Sequence, residues 1–192
     1  MVTDVHPDHY DSRTIAAGLA TDGVLVCPPS VEERAAEDGL RAMRVGPGDS
    51  IELGALEIRA FPAVDGLGEE QVSWVASGDG QRIVHCGDTL RHGYWWTIVE
   101  PGPFDVAFLP INGATVLYPS KTGIPASLTP EHAAAAAEVL GAATTSPIHY
   151  GTFDFPPAYA EHPDAEAAFL RAAKERGVEA RVLEAGQATE LA

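Results

Sequence analysis

The chain has 192 residues, 45% hydrophobic and 21% charged, the proportions of a globular domain and not of a disordered one. Its 28 Asp and Glu against 12 Lys and Arg give a formal charge of −16. That balance argues against a protein that tracks nucleic-acid backbone, which needs excess positive charge to displace counterions, and against docking on anionic membrane. At roughly 150 residues per domain, residues 1–192 form a single domain. Two cysteines, Cys27 and Cys86, are too few for a disulfide framework or a four-thiolate zinc site. No apolar run reaches the roughly 18 residues of a membrane span. The opening MVTDVHPDHY has neither the basic segment nor the apolar stretch of a signal peptide, so a cytoplasmic location is expected.

In chain order, residues 12–20 predict a short helix, capped by Asp11 or Ser12, with Ile15 and Leu19 four apart on one face. Val24–Cys27 reads as a buried strand closed by two prolines. Ser30 with Glu33 three residues later is a capping-box pattern for a helix over 30–39. Strands follow at 41–45, 50–53, 56–60, 72–76 and 82–85, with a hairpin signal at Gly78-Asp79-Gly80. Residues 104–111 are an apolar strand. Residues 130–140 are an alanine-rich helix, with Thr129 to cap it, Pro130 at its first position and Gly141 to end it. A strand at 146–149, a helix at 163–177 and a last strand at 178–183 complete the chain. Strand-rich segments followed by alternating helices and strands indicate a layered α/β or α+β protein.

Three segments carry chemistry. The first is Asp4-x-His6-x-Asp8-His9, in which every second side chain is a candidate ligand, with one more at the end. Imidazole with carboxylate is a donor set suited to Zn, Fe or Mn. The second, Val84-His85-Cys86-Gly87-Asp88-Thr89, is an apolar strand that ends at a glycine with an acid at its mouth. The third, Pro147-Ile148-His149-Tyr150-Gly151, is a short strand with a histidine at its end. Ligands delivered from the ends of separate strands are how α/β scaffolds build sites. His85 reads as a support for a ligand or as a core histidine. Tyr94, Trp95 and Trp96 read as core packing or, for one of them, as a wall of the pocket.

These segments resemble the metallo-β-lactamase fold superfamily of hydrolases, and within it the branch of the L-ascorbate-6-phosphate lactonase. The family's H-x-H-x-D-H motif is matched by Asp4, His6, Asp8 and His9, its G-D-T turn by Gly87 to Thr89, its P-x-H-Y-G-T-F segment by Pro147 to Phe153, and the branch's P-I-N-G stretch by Pro110 to Gly113. The resemblance implies a four-layer αββα sandwich. It implies one or two divalent ions (Zn, Mn or Fe). Asp8, His9 and His149 would form one site, His6 would belong to the other, and Asp88 would bridge the two. Two positions depart from the pattern. Asp4 stands for the family's first histidine, and Asp65, in Phe61-Pro62-Ala63-Val64-Asp65, stands for its third. A first site of Asp4, His6, Asp65 and Asp88 is harder and more negative, which shifts preference from zinc towards Mn(II) or Fe(II).

The implied function is a metal-dependent hydrolase that turns a metal-bound hydroxide on a small ester, lactone or phosphorylated substrate, with Asp8 and Asp88 as the catalytic carboxylates. The alternatives are a non-catalytic or truncated metal-binding member of the fold, and a phosphodiesterase. Asn112 and His92 are candidate substrate contacts, and Arg91 and Lys121 are the nearest cations by sequence for a phosphate. The family also carries strands ahead of its first motif, which here begins at residue 4, so the expectation is either a truncated chain or a sheet edge left open for a partner or for homo-oligomerisation. No nucleic-acid or membrane partner is expected.

Overall fold

The computed structural model describes all residues except 67, 69, 118–124, 153 and 189–192. Lys121 and Phe153 therefore lie outside the described residues. The elements are α1 (Ser12–Gly18), β1 (Leu25–Cys27), α2 (Pro29–Glu37), β2 (Ala42–Arg44), β3 (Ser50–Leu53), β4 (Leu56–Val64), β5 (Glu70–Gly78), β6 (Gln81–His85), α3 (Trp95–Ile98), β7 (Val106–Pro110), β8 (Thr115–Val116), α4 (Pro130–Leu140), β9 (Thr144–Ile148), β10 (Tyr159–Ala160) and α5 (Ala165–Glu175).

The main sheet has the order β3-β4-β5-β6-β7-β9. β3 to β6 form an antiparallel meander, whereas β6, β7 and β9 run parallel. The change follows from the connections. Gly78-Asp79-Gly80 closes β5 onto β6 as a tight hairpin, with Asp79 and Gly80 both at positive φ, as its turn type requires. Parallel neighbours instead need a crossover, which α3 and α4 supply.

One face of the sheet packs on the helices, with Val84, Ala107 and Leu109 against Ala133, Ala137, Leu140 and Phe169. The small side chains of α4 let the helix approach Ala107 closely. Its ends form as the sequence implies: the Thr129 hydroxyl accepts from His132 N–H, and Gly141 ends the helix in the left-handed conformation. On the other face Ile58, Ala60, Val72 and Trp74 pack against Val26 of β1 and Val45 beyond β2. Leu25 and Cys27 then pack outward against Val31 and Ala35 of α2. The layers therefore run helices, six strands, two strands, helix, so the αββα expectation holds with a two-stranded second sheet.

Local differences have physical causes. The capping box at Ser30 does not form, because the Ser30 hydroxyl bonds the Glu70 carbonyl and Pro28 occupies the N-cap. β4 continues through Pro62 to Val64, further than residue 60. The segment expected as a last strand makes only a bridge at Thr145 and Ala180. Glu179 and Arg181 still bond Thr145 across the edge of β9. No helix among the described residues is long and apolar enough to cross a membrane.

Candidate metal centre

Four chain segments meet at one end of the sheet. The first is the loop that leaves Met1–Thr3. Val2 N–H bonds the Val26 carbonyl, and the Thr3 carbonyl accepts from Val72 N–H, so this stretch lies against β1 and β5. The chain then turns, with His9 and Tyr10 N–H both bonding the His6 carbonyl, and presents Asp4, His6, Asp8 and His9 within one short loop.

The second segment is the turn after β6. Gly87 has φ of 64°, and a Cβ there would lie 3.2 Å from Thr3 Cβ. Glycine is thus required both by conformation and by the close approach to the first motif. It brings Asp88 to the histidines. The third is the end of β4. Thr89 clamps it, since its hydroxyl accepts from Val64 N–H at 3.0 Å and Leu90 N–H bonds the Val64 carbonyl. Asp65, the next residue, is thereby set beside Asp88. The fourth is β9. His149, immediately after it, has φ of 56°, a region a non-glycine residue occupies only when the surroundings enforce it, and this turns its ring into the cluster.

His9 Nε2 lies 3.2 Å from His149 Nε2, 3.6 Å from Asp8 Oδ2 and 3.9 Å from Asp88 Oδ2. His149 Nε2 is 3.3 Å from Asp8 Oδ2. His6 Nε2 lies 3.9 Å from Asp65 Oδ2, and His6 Nδ1 is 2.8 Å from Asp4 Oδ2. Three overlapping groups have ligand atoms within 4.8 Å of one another: Asp8, His9 and His149; Asp4, His9 and Asp88; and His6, Asp65 and Asp88. All seven residues singled out as ligands in the sequence therefore converge.

The donor chemistry fits a divalent ion. Two imidazole nitrogens that face each other at 3.2 Å share at most one proton, and Asp88 Oδ1 is buried without a hydrogen-bond partner, an expense a cation removes. Burial raises the Asp88 pKa, with the Asp4 and Asp65 charges adding to it against His9 and His149. Asp8, at the rim, is lowered to about 2, chiefly by its hydrogen bond to His149.

Neither substrate candidate is among the residues that line the cavity beside the cluster. Asn112 is 3% exposed and its side-chain oxygen accepts from the Ser127 hydroxyl, so it ties two loops together. His92 stacks on Trp95 with ring centroids 4.9 Å apart and lines a separate cavity of about 110 Å³ with Arg91, Trp96 and His132. A larger cavity of about 460 Å³ adjoins the cluster, lined by Asp8 and His9, by His85, and by Trp74, Ala76, Ile83 and Phe108. The sequence reading missed Thr3 and Thr89, although each stands beside a motif aspartate. It left His85 undecided. Burial holds this histidine neutral, its pKa lowered to about 4.

The model of the beta-lactamase superfamily domain matches residues 1–150. The chain is 30% identical to a UPF0173 metal-dependent hydrolase of Shouchella clausii, over all of this chain and 81% of that protein. It is 29% identical to a UPF0173 protein of Pyrococcus furiosus, over 80% of this chain but 66% of that one. Among solved structures, a metallo hydrolase from Ignicoccus hospitalis superposes with a TM-score of 0.75 at 23% identity, covering 97% of this chain and 76% of that one.

Proposed function

The chain belongs to the beta-lactamase superfamily, as a metal-dependent hydrolase of the metallo-β-lactamase fold, and from that premise we propose that it cleaves a small, largely apolar ester or lactone. The observation that carries the reading is the junction of the cluster with the 460 Å³ cavity, in which Asp8 and His9 meet walls of Trp74, Ile83 and Phe108 and, among the described residues, no Arg or Lys side chain contributes. An apolar wall suits an acyl chain or ring. A phosphoryl group would want a cationic clamp, and Arg91 lines the other cavity. The Pro110–Gly113 stretch supports a place near the lactonase branch, with a lactone carbonyl and without its phosphate. Buried thiols at Cys27 and Cys86 without a disulfide fit a reducing, cytoplasmic setting.

Asp8, His9 and His149 would hold one divalent ion, and His6, Asp65 and Asp88 a second of harder preference, Mn(II) or Fe(II). Such an ion, when bound, lowers the pKa of water and polarises a carbonyl oxygen. The chain's own groups do the rest. Asp8 stays ionised through neutral pH and orients a water proton at the rim. Asp88, the other candidate catalytic carboxylate of the cluster, would accept a proton from that water. His85 Nδ1 accepts from Gly87 N–H, so in the neutral ring Nε2 carries the proton and offers a donor to the substrate from the pocket wall.

The test is elemental mass spectrometry on protein purified without chelators, with a panel of esters, lactones and bis(nitrophenyl) phosphate. Asp88→Ala and His149→Ala each lower metal content and hydrolysis together. Full metal in both variants refutes the site, and cleavage of the diester alone refutes the carbonyl substrate.

A further inference from the structure

Asp4 occupies a ligand position of the motif, yet its surroundings are those of a group already saturated. It is 0% exposed. Its Oδ1 accepts from the Thr3 hydroxyl at 2.6 Å and lies 3.3 Å from His9 Nδ1. Its Oδ2 accepts from His6 N–H at 3.3 Å and lies 2.8 Å from His6 Nδ1. A carboxylate offers about four lone-pair sites. Four donor positions face them: one hydroxyl, one backbone amide and two imidazole nitrogens.

We propose that Asp4 is a positioning residue, not a metal ligand: one buried carboxylate that fixes the orientation and tautomer of both His6 and His9. The inference rests on the metal-centre reading above. A carboxylate is acceptor-only, so an imidazole nitrogen within hydrogen-bonding distance of it carries a proton, whereas the outward Nε2 atoms stand 3.9 Å from Asp65 and 3.6 and 3.9 Å from Asp8 and Asp88, beyond that distance. His6 Nδ1–H donates directly to Oδ2. His9 Nδ1–H donates to the Thr3 hydroxyl oxygen at 3.0 Å as well as towards Oδ1, and Thr3 passes its own proton on to Oδ1. In a neutral ring a proton on Nδ1 leaves the lone pair on Nε2. These are the atoms that point outward, His9 Nε2 at Asp8, Asp88 and His149, and His6 Nε2 at Asp65. A carboxylate behind a histidine also raises its basicity as a ligand. Here a single one serves a histidine in each of two ligand groups. The replacement of imidazole by carboxylate at residue 4 therefore converts a ligand position into a support.

The test uses the full chain in metal-free form and after titration with Mn(II) or Zn(II). Two-bond proton–nitrogen correlation spectra of the histidine rings report tautomers without metal or activity. In the metal-free wild type, His6 and His9 show Nδ1–H with a bare Nε2. Asp4→Asn, of the same shape, keeps only one accepting oxygen, so at least one ring changes its tautomer or becomes a mixture. Thr3→Val disturbs His9 alone. In the titration, Asp4→Asn keeps the wild-type metal stoichiometry and binds about 10- to 100-fold more weakly. Nε2–H rings in the metal-free wild type overturn the proposal. So does an Asp4→Asn variant that loses one equivalent and holds the rest at unchanged affinity, since that is the signature of a lost ligand. A wild type that binds neither metal but shows the expected tautomers sinks the metal-centre reading and leaves the role of Asp4 standing.

Discussion

Metal binding should stabilise the fold by an amount that the site itself sets. Asp4, Asp65 and Asp88 bring side chains that are 0%, 1% and 13% exposed to one place, and burial of like charges near one another opposes folding. A divalent ion bound only by the native state adds RT ln(1 + [M]/Kd), about 2.7 kcal/mol at one hundred times Kd. For a chain of this length each kcal/mol moves Tm by about 2–4 °C, so filling the Asp8, His9 and His149 site alone raises Tm by about 5–11 °C over the chelated protein. His149→Ala removes one of the three donors around His9 Nε2 without touching the core, and should lose at least half of that rise at the same metal concentration. The assay is scanning calorimetry in chelator and in increasing Mn(II) or Zn(II). An equal rise in wild type and variant means that the stabilising ion sits elsewhere, and the reasoning fails.

Phe169, fully buried between α5 and the sheet, should cost about 3–5 kcal/mol as Phe169→Ala, read as a loss of denaturation midpoint with an unchanged slope. Gly141→Ala meets no steric neighbour at its Cβ but must hold φ at 61°, so chemical denaturation should show a loss of about 1 kcal/mol from backbone strain alone. Burial lowers the His92 pKa from 6.5 to about 4. Between those values the unfolded chain takes up a proton that the folded chain does not. Stability is therefore fully present above about pH 6.5 and falls towards pH 4. His92→Phe, which keeps a ring on Trp95, should reduce that slope in denaturation curves taken across the window, with His85 supplying the rest, and an unchanged slope removes His92 as a contributor.

The cluster was readable because its residues are local in sequence or stand at marked turns. Asp4, His6, Asp8 and His9 lie within six residues, and Asp88 and His149 each follow an apolar strand. Local rules also placed α4 between Thr129 and Gly141, since an N-cap and a left-handed C-cap act within one turn. Ser30 shows where such rules stop. Its hydroxyl found the Glu70 carbonyl, forty residues away, and the capping box was left unmade. The strand over 178–183 met the same limit, because an extended segment becomes a strand only if a neighbour pairs along its length. Asn112 bonds Ser127, fifteen residues on, and the His92 ring stacks on Trp95, pairings that proximity to the motifs did not indicate.

By itself, then, the sequence determined the donor types, their order and the strand ends that carry them, because these depend on residue identity and short-range backbone preference. Tertiary structure alone decided which atom of each donor faces the others. Whether Asp4 stands among the ligands or behind them turns on Thr3, His6 and His9 meeting it in a buried space, and on the approach of Gly87 to Thr3 across the sheet. Those are distances between groups that pack together only after the layers close, and no spacing along the chain encodes them.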